Sequence, residues 1–239
     1  MRSRPTFLQV VVHLGGWFPL AQLVFAFSTG RMSINPIQEI EQRTGLAAIL
    51  FLVLSLACTP LNTLFGWREA IKRRKALGLY AFLYTFVHVA VFLALDYGFS
   101  WGVIANLILT KSYLIVGTLA FLMLVPLALT SFNSSMRRLG MNWKRLHALV
   151  YVIAPLAMLH YAWSKKGDIF RLSGDVLKPL LYGLVVVVLL SLRLPFLRRA
   201  ASRARTALQT GVRRRTARPS PPLLPPKKPN LPDKKEMPS

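Results

Sequence analysis

Residues 76–97 read ALGLYAFLYTFVHVAVFLALDY, an apolar run that follows the basic stretch Arg73-Arg74-Lys75 and carries His88 a little past its middle. Crossing about 30 Å of hydrocarbon as a helix takes roughly 20 residues, and only a helix or a closed barrel can satisfy its own backbone in lipid. The run is long enough. So are the stretches 7–27, 45–65 and 112–132, and, less cleanly, 146–163 and 179–194. The sequence therefore predicts an all-α polytopic membrane bundle of about six transmembrane helices. The last is short, so Arg193 is expected to snorkel towards the interface. No internal repeat of fixed period stands out.

The charge pattern agrees with this reading. A net charge of +23 in a soluble chain would point to nucleic acid, but here the Lys and Arg residues lie between or after the apolar runs, so no nucleic-acid partner is expected. Arg2 and Arg4, then Arg68 with 72–75, then Arg137, Arg138, Lys144 and Arg145, fall on one side together with the C-terminal tail. The opposite connections mix fewer cations with Glu39, Glu41, Asp168 and Asp175. The positive-inside rule then places both termini in the cytoplasm. A cleaved signal peptide at the N-terminus fits less well: the apolar stretch is long, His13 and Pro19 interrupt it, and its removal would invert the charge alternation. Residues 1–195 form the expected membrane domain. Residues 196–239 are a basic, then Pro-rich, tail that cannot bury a core and is expected to be disordered against anionic lipid headgroups.

The sequence holds four histidines, His13, His88, His147 and His160, each in or at the edge of an expected span. Ionisable side chains inside a bilayer are costly and mark a pathway, a cofactor or a proton relay. The third and fifth spans run in the same direction. At 1.5 Å per residue, His88 lies ~18 Å and His160 ~20 Å from the cytoplasmic ends of their helices. Two neutral imidazoles at one level suit the two axial positions of a single heme iron, which is then closed to oxygen chemistry and fitted for electron transfer. His147 sits at the cytoplasmic mouth of the fifth span, where the third span offers only Arg74 and Lys75 opposite. Two readings of it stand side by side: a ligand at an inner heme or other redox group, and an interfacial residue next to Lys144 and Arg145. Thirteen residues of straight helix turn ~220°, so His147 and His160 share a face only if Pro155 changes the winding. His13, beside Gly15 and Gly16, fits close helix packing at least as well as ligation. Pro60, Pro126 and Pro155 can kink spans and free backbone groups. The lone Cys58, inside an apolar run, reads as a small buried hydrophobe. Without a dinucleotide fingerprint, a P-loop or a soluble domain, the chain can relay electrons but depends on a partner for hydride chemistry.

Several motifs resemble one family. They are Asn35-Pro36, Thr44-Gly45, Thr59-Pro60, Arg73-Arg74 before Leu77-Gly78-Leu79, and Arg138-Leu139-Gly140. Trp143-Lys144-Arg145-Leu146-His147 and His160-Tyr161-Ala162-Trp163 complete the set. Over residues 7–195 the chain resembles the MsrQ (YedZ) family, whose members have a ferric-reductase-like transmembrane domain. The resemblance implies a heme b electron-transfer subunit of the bacterial inner membrane, with its heme-associated histidines at His88, His147 and His160. It also implies one heme b or two, an FMN associated with the family, and a cytoplasmic flavin reductase or quinol as donor. The acceptor it implies is a periplasmic molybdopterin subunit of the MsrP type, which reduces methionine sulfoxide and would carry the catalysis proper. The single histidine of the third span departs from ferric reductases that place two on each of two helices. Two other classes compete with this reading: a proton-coupled transporter whose histidines titrate, and a helical assembly factor with no redox chemistry.

Overall fold

In the computed structural model the described residues are 6–165, 167–168, 173–174 and 177–194, with 196, 197, 199, 203 and 206 besides. The expected tail lies outside them but for those last five positions. Helix α1 covers Phe7–Ser28, α2 Pro36–Phe65 and α3 Arg68–Val91, the last continuing into a wider π turn over Phe92–Asp96. Then come α4 (Trp101–Thr110), α5 (Ser112–Leu129), α6 (Asn133–Leu139), α7 (Met141–His147), α8 (Val150–Ser164) and α9 (Leu177–Ser191). The all-α class stands; a two-residue ladder pairing Gly167 with Gly174 is a minor addition. Among the described residues five helical stretches are long and apolar enough to cross a membrane, and Trp101–Thr110 and Leu177–Ser191 are shorter apolar helices. The sixth expected span is α9, whose 15 residues reach only about 22 Å as helix.

Local chemistry sets the helix ends. Asn35 caps α2 through its side-chain oxygen, which accepts from the Gln38 N–H at 3.2 Å, and Pro36 opens the helix where a missing N–H costs nothing. This cap starts α2 well before the expected Gly45, so the connection before it is shorter and Glu41 lies in the helix. Gly66 closes α2 in the left-handed region at φ 71°, and α3 begins at Arg68, making a tight antiparallel pair. Helix α4 lay hidden in the sequence because its apolar run is too short to span.

Helix α2 is the hub. Its Ala47, Phe51, Leu52, Leu56 and Cys58 pack with Leu77, Tyr80, Ala81 and Tyr84 of α3, Ala154 and Met158 of α8 and Val186 of α9. Cys58 is buried, as its setting predicted. Outward apolar side chains such as Phe18 and Phe25 of α1, Leu119 and Leu122 of α5, and Leu184 and Val187 of α9 are exposed, the surface a bilayer would cover.

Two hydrogen-bond staples answer to prolines. Pro60 has no N–H to give the Leu56 carbonyl, and the Arg193 guanidinium donates to that oxygen at 2.6 Å. Arg193 therefore turns inward, with its charge also 5.5 Å from the Tyr151 ring, instead of snorkelling. A buried carbonyl with no internal partner is a stronger pull than the interface. In α1, beside Pro19, the buried Tyr84 hydroxyl accepts from the Leu20 N–H at 3.2 Å and donates to the Gly16 carbonyl at 2.7 Å. Gly16 lies so close to Tyr80 that a Cβ would overlap the hydroxyl end of its ring, at Cζ. His13 Nδ1 is 2.9 Å from the Tyr80 hydroxyl, which gives His13 the packing role.

Tyr84→Phe removes the hydroxyl that bridges α1 and α3. Thermal unfolding in detergent should show a loss of about 1–3 kcal/mol, the usual cost of orphaning buried polar partners. An unchanged midpoint would mean that the Leu20 N–H and Gly16 carbonyl satisfy each other directly.

Candidate functional site

Two hairpins of the same construction bring His88 and His160 together. His88 on α3 has Nδ1 2.9 Å from the carbonyl oxygen of Glu41 on α2. His160 on α8 has Nδ1 2.8 Å from the carbonyl oxygen of Tyr113 on α5. A carbonyl oxygen can only accept, so in both rings Nδ1 carries the proton and donates it. Each Nε2 is then left with a lone pair, the form in which imidazole binds a metal. In both cases the accepting carbonyl lies 47 residues earlier in the chain.

The correspondence extends further. One displacement of 72 residues carries Glu41 to Tyr113, Gly45 to Gly117 and His88 to His160. It also carries Lys72-Arg73 to Lys144-Arg145 and Ala76-Leu77 to Ala148-Leu149. A correspondence of spacing thus exists where no repeat stood out in the sequence; the identities at this displacement are too few to be seen before the hydrogen bonds mark which positions correspond. Under the same displacement Lys75 stands where His147 does in the second half.

The two rings stand with centroids 6.2 Å apart and planes at 78°. Helices α3 and α8 barely touch, each packing instead on its own hairpin partner and on neighbours such as α5 and α9. With metal–imidazole bonds of about 2 Å, two axial imidazoles on opposite sides of one ion have centroids about 6 Å apart. The donor set, the tautomers and the spacing all fit an iron held between two histidines. The glycines complete the fit: the position of a Cβ on Gly117 lies 2.5 Å from His160 Nδ1, and on Gly45 3.4 Å from His88 Cε1 and Nδ1.

His147 is not part of this pair. Its Nε2 is 3.1 Å from the Thr130 hydroxyl, and its ring stacks on Trp143 at 4.1 Å between centroids. The Thr130 hydroxyl has one proton and gives it to the Pro126 carbonyl at 2.6 Å, so His147 Nε2–H is the donor to Thr130. His147 is therefore in the tautomer opposite to that of the other two, with its lone pair on Nδ1. Trp143 Nε1 donates to the Thr130 carbonyl at 2.9 Å and holds the stack in place. The helix also changes winding before Pro155 is reached. At Ala148–Leu149 the bonds tighten, with Leu149 N–H to Leu146 O at 3.0 Å and Tyr151 N–H to Ala148 O at 3.0 Å, and this separates α7 from α8.

Glu41, Gly45, Tyr113 and Gly117 are the site residues that periodicity did not reveal. Glu41 looked like part of an outer connection, and a backbone carbonyl leaves no trace in residue type. Thr44-Gly45, which carries part of the family resemblance, was the one visible signal.

The chain is similar to known proteins. Residues 44–158 match the family model described as "Ferric reductase like transmembrane component". A relative from Xanthomonas euvesicatoria is named "Protein-methionine-sulfoxide reductase heme-binding subunit MsrQ" and is 42% identical over 77% of this chain and 84% of its own length. A protein of the same name from Xanthomonas axonopodis is 40% identical over 90% of this chain and 94% of its own, and one from Herminiimonas arsenicoxydans is 37% identical over 79% and 84%. No solved structure matches.

The stacked pair gives a spectroscopic handle. Protonated imidazole quenches indole emission, so acidification should lower the fluorescence of Trp143, and the pH-dependent part should vanish in Trp143→Phe and in His147→Gln. A pH response that survives His147→Gln would mean that the quenching comes from elsewhere.

Proposed function

The chain belongs to the MsrQ family, and on that premise we propose that it is the heme b electron-transfer subunit of a protein-methionine-sulfoxide reductase system, with His88 and His160 as the axial ligands of one heme. The observation that carries this reading is the pair of imidazoles with centroids 6.2 Å apart, both protonated on Nδ1 by donation to a carbonyl and both left with a lone pair on Nε2. When bound, the heme supplies a one-electron couple that needs no open coordination position. The residues of the chain then have three tasks. His88 and His160 would hold the heme iron through their Nε2 lone pairs and would leave no place on it for oxygen or other exogenous ligands. The carbonyls of Glu41 and Tyr113 accept the Nδ1 protons, hold the tautomers and raise the basicity of both rings. The lipid-facing helices keep the site in a medium of low dielectric, where charge and burial set the potential.

The wider reading is a multi-pass protein of the bacterial inner membrane, with both termini cytoplasmic by the distribution of basic residues. A cytoplasmic flavin reductase or quinol supplies electrons. The acceptor is a periplasmic molybdopterin subunit of the MsrP type that reduces methionine sulfoxide in envelope proteins. The ends of α2 and α5 that carry Glu41 and Tyr113 put His88 and His160 on the outer side in this orientation, the side from which such an acceptor would be reached. There Ser33 N–H donates to Glu39 at 2.6 Å and Glu39 pairs with Arg43, so that the outer segment Ser28–Thr44, which is the connection together with the first turns of α2, presents a polar surface. Substitutions in that connection or in 164–177 should lower partner-dependent turnover without loss of heme. FMN enters the reading through the family alone. His147 keeps two roles in this reading, an interfacial residue that gives its Nε2–H to Thr130 and a contributor to an inner heme or flavin site through the lone pair left on Nδ1.

A pyridine hemochrome assay on the purified chain should give close to one heme b per chain, lost in His88→Ala and in His160→Ala and kept in His147→Ala. Loss with His147→Ala at unchanged fold would add an inner heme. A heme-free wild type would instead favour the transporter reading, with pH-dependent flux as its next test.

A further inference from the structure

The two histidines are not held alike. Both donate Nδ1–H to a carbonyl across their own hairpin, but their rings cross at 78°. The ring of His160 also lies hard against α5. The position of a Cβ on Gly117 is 2.5 Å from its Nδ1, 2.8 Å from Cε1 and 3.2 Å from Cγ, so any side chain there meets the ring atom that makes the hydrogen bond. At Gly45 the corresponding distances to His88 Nδ1 and Cε1 are 3.4 Å, which is ordinary contact. A residue other than glycine at 117 must push the ring from the Tyr113 carbonyl, whereas one more methyl group at 45 has room.

We infer that Gly117 is a positioning residue: it lets His160 sit flush on α5, where its ring is held across that of His88 with Nδ1 on the Tyr113 carbonyl and the lone pair left on Nε2. The inference rests on the heme reading above and deepens it by naming what sets the relative orientation of the two ligands. Gly45 does the same for His88 with slack to spare. The orientation has an electronic consequence, because crossed axial planes leave two iron d orbitals nearly equal in energy and parallel planes separate them. The chain thus sets an electronic property of the cofactor through a main-chain carbonyl and the absence of a side chain, both outside the ligand set.

Electron paramagnetic resonance of the oxidised, heme-loaded wild type should show a highly anisotropic low-spin signal, the signature of crossed imidazoles, and the reduced protein should not bind carbon monoxide. Gly117→Ala should change that signal to a rhombic or high-spin one, or open the reduced iron to carbon monoxide. Gly45→Ala should shift the spectrum less. Gly183→Ala, where a Cβ meets nothing within 4 Å, controls for the general effect of replacing a helical glycine. If Gly117→Ala does not accumulate, the comparison moves to the His160→Gly background with added imidazole. The free ligand is not tethered to α8 there, so the double variant carrying Gly117→Ala should bind it as well as the His160→Gly single variant does. A wild-type signal with no carbon monoxide binding in Gly117→Ala would overturn the inference while leaving the heme reading intact, as would a Gly117→Ala defect that persists with free imidazole. Heme retained in both His88→Ala and His160→Ala would instead remove the reading on which it rests.

Discussion

A backbone carbonyl can accept a hydrogen bond but never donate one, and the site depends on that asymmetry twice. The oxygens of Glu41 and Tyr113 fix the proton of each histidine on Nδ1 and so fix where the lone pair is. Neither interaction needs a second polar side chain in the bilayer as acceptor, where one would be costly to bury. It needs only that a hairpin bring a helix start and a histidine to one level, which α2–α3 and α5–α8 do in the same way.

The rest of the bundle obeys the related rule that no backbone group in lipid is left without a partner. Pro60 frees the Leu56 carbonyl, and the answer comes from Arg193, on the far side of the sequence, which ties the end of α9 to the hub helix. Beside Pro19, the Tyr84 hydroxyl serves both a donor and an acceptor of α1. In each case a local defect in one helix becomes a specific contact with another. That gives the packing a direction that uniform apolar surfaces, interchangeable with lipid tails, would not supply.

Much of this could be read from residue types. The runs of apolar residues gave the all-α membrane class and five of the spans, and the shared depth of His88 and His160 followed from helix rise alone. Helix α4 escaped because its ten residues are too few for a rule based on spanning length. The inward turn of Arg193 escaped because the rule for a charge near a helix end looks to the interface and not to a carbonyl freed more than a hundred residues away. The early start of α2 was legible in Asn35-Pro36 as a cap followed by a proline at the first helical position, a local signal outweighed by the count of apolar residues. The role of Glu41 and Tyr113 could not be read at all, since every residue has a carbonyl.

The division of the site between two hairpins bears on how the protein is made. A nascent chain that has delivered only α1 to α3 to the membrane presents His88 and the Glu41 carbonyl, which on the proposed reading is half of the ligand set. The second half arrives with α8, late in synthesis. If the proposed ligand pair holds the cofactor, its capture would report that both hairpins have been inserted in the right order and orientation, and loading would double as quality control on membrane integration.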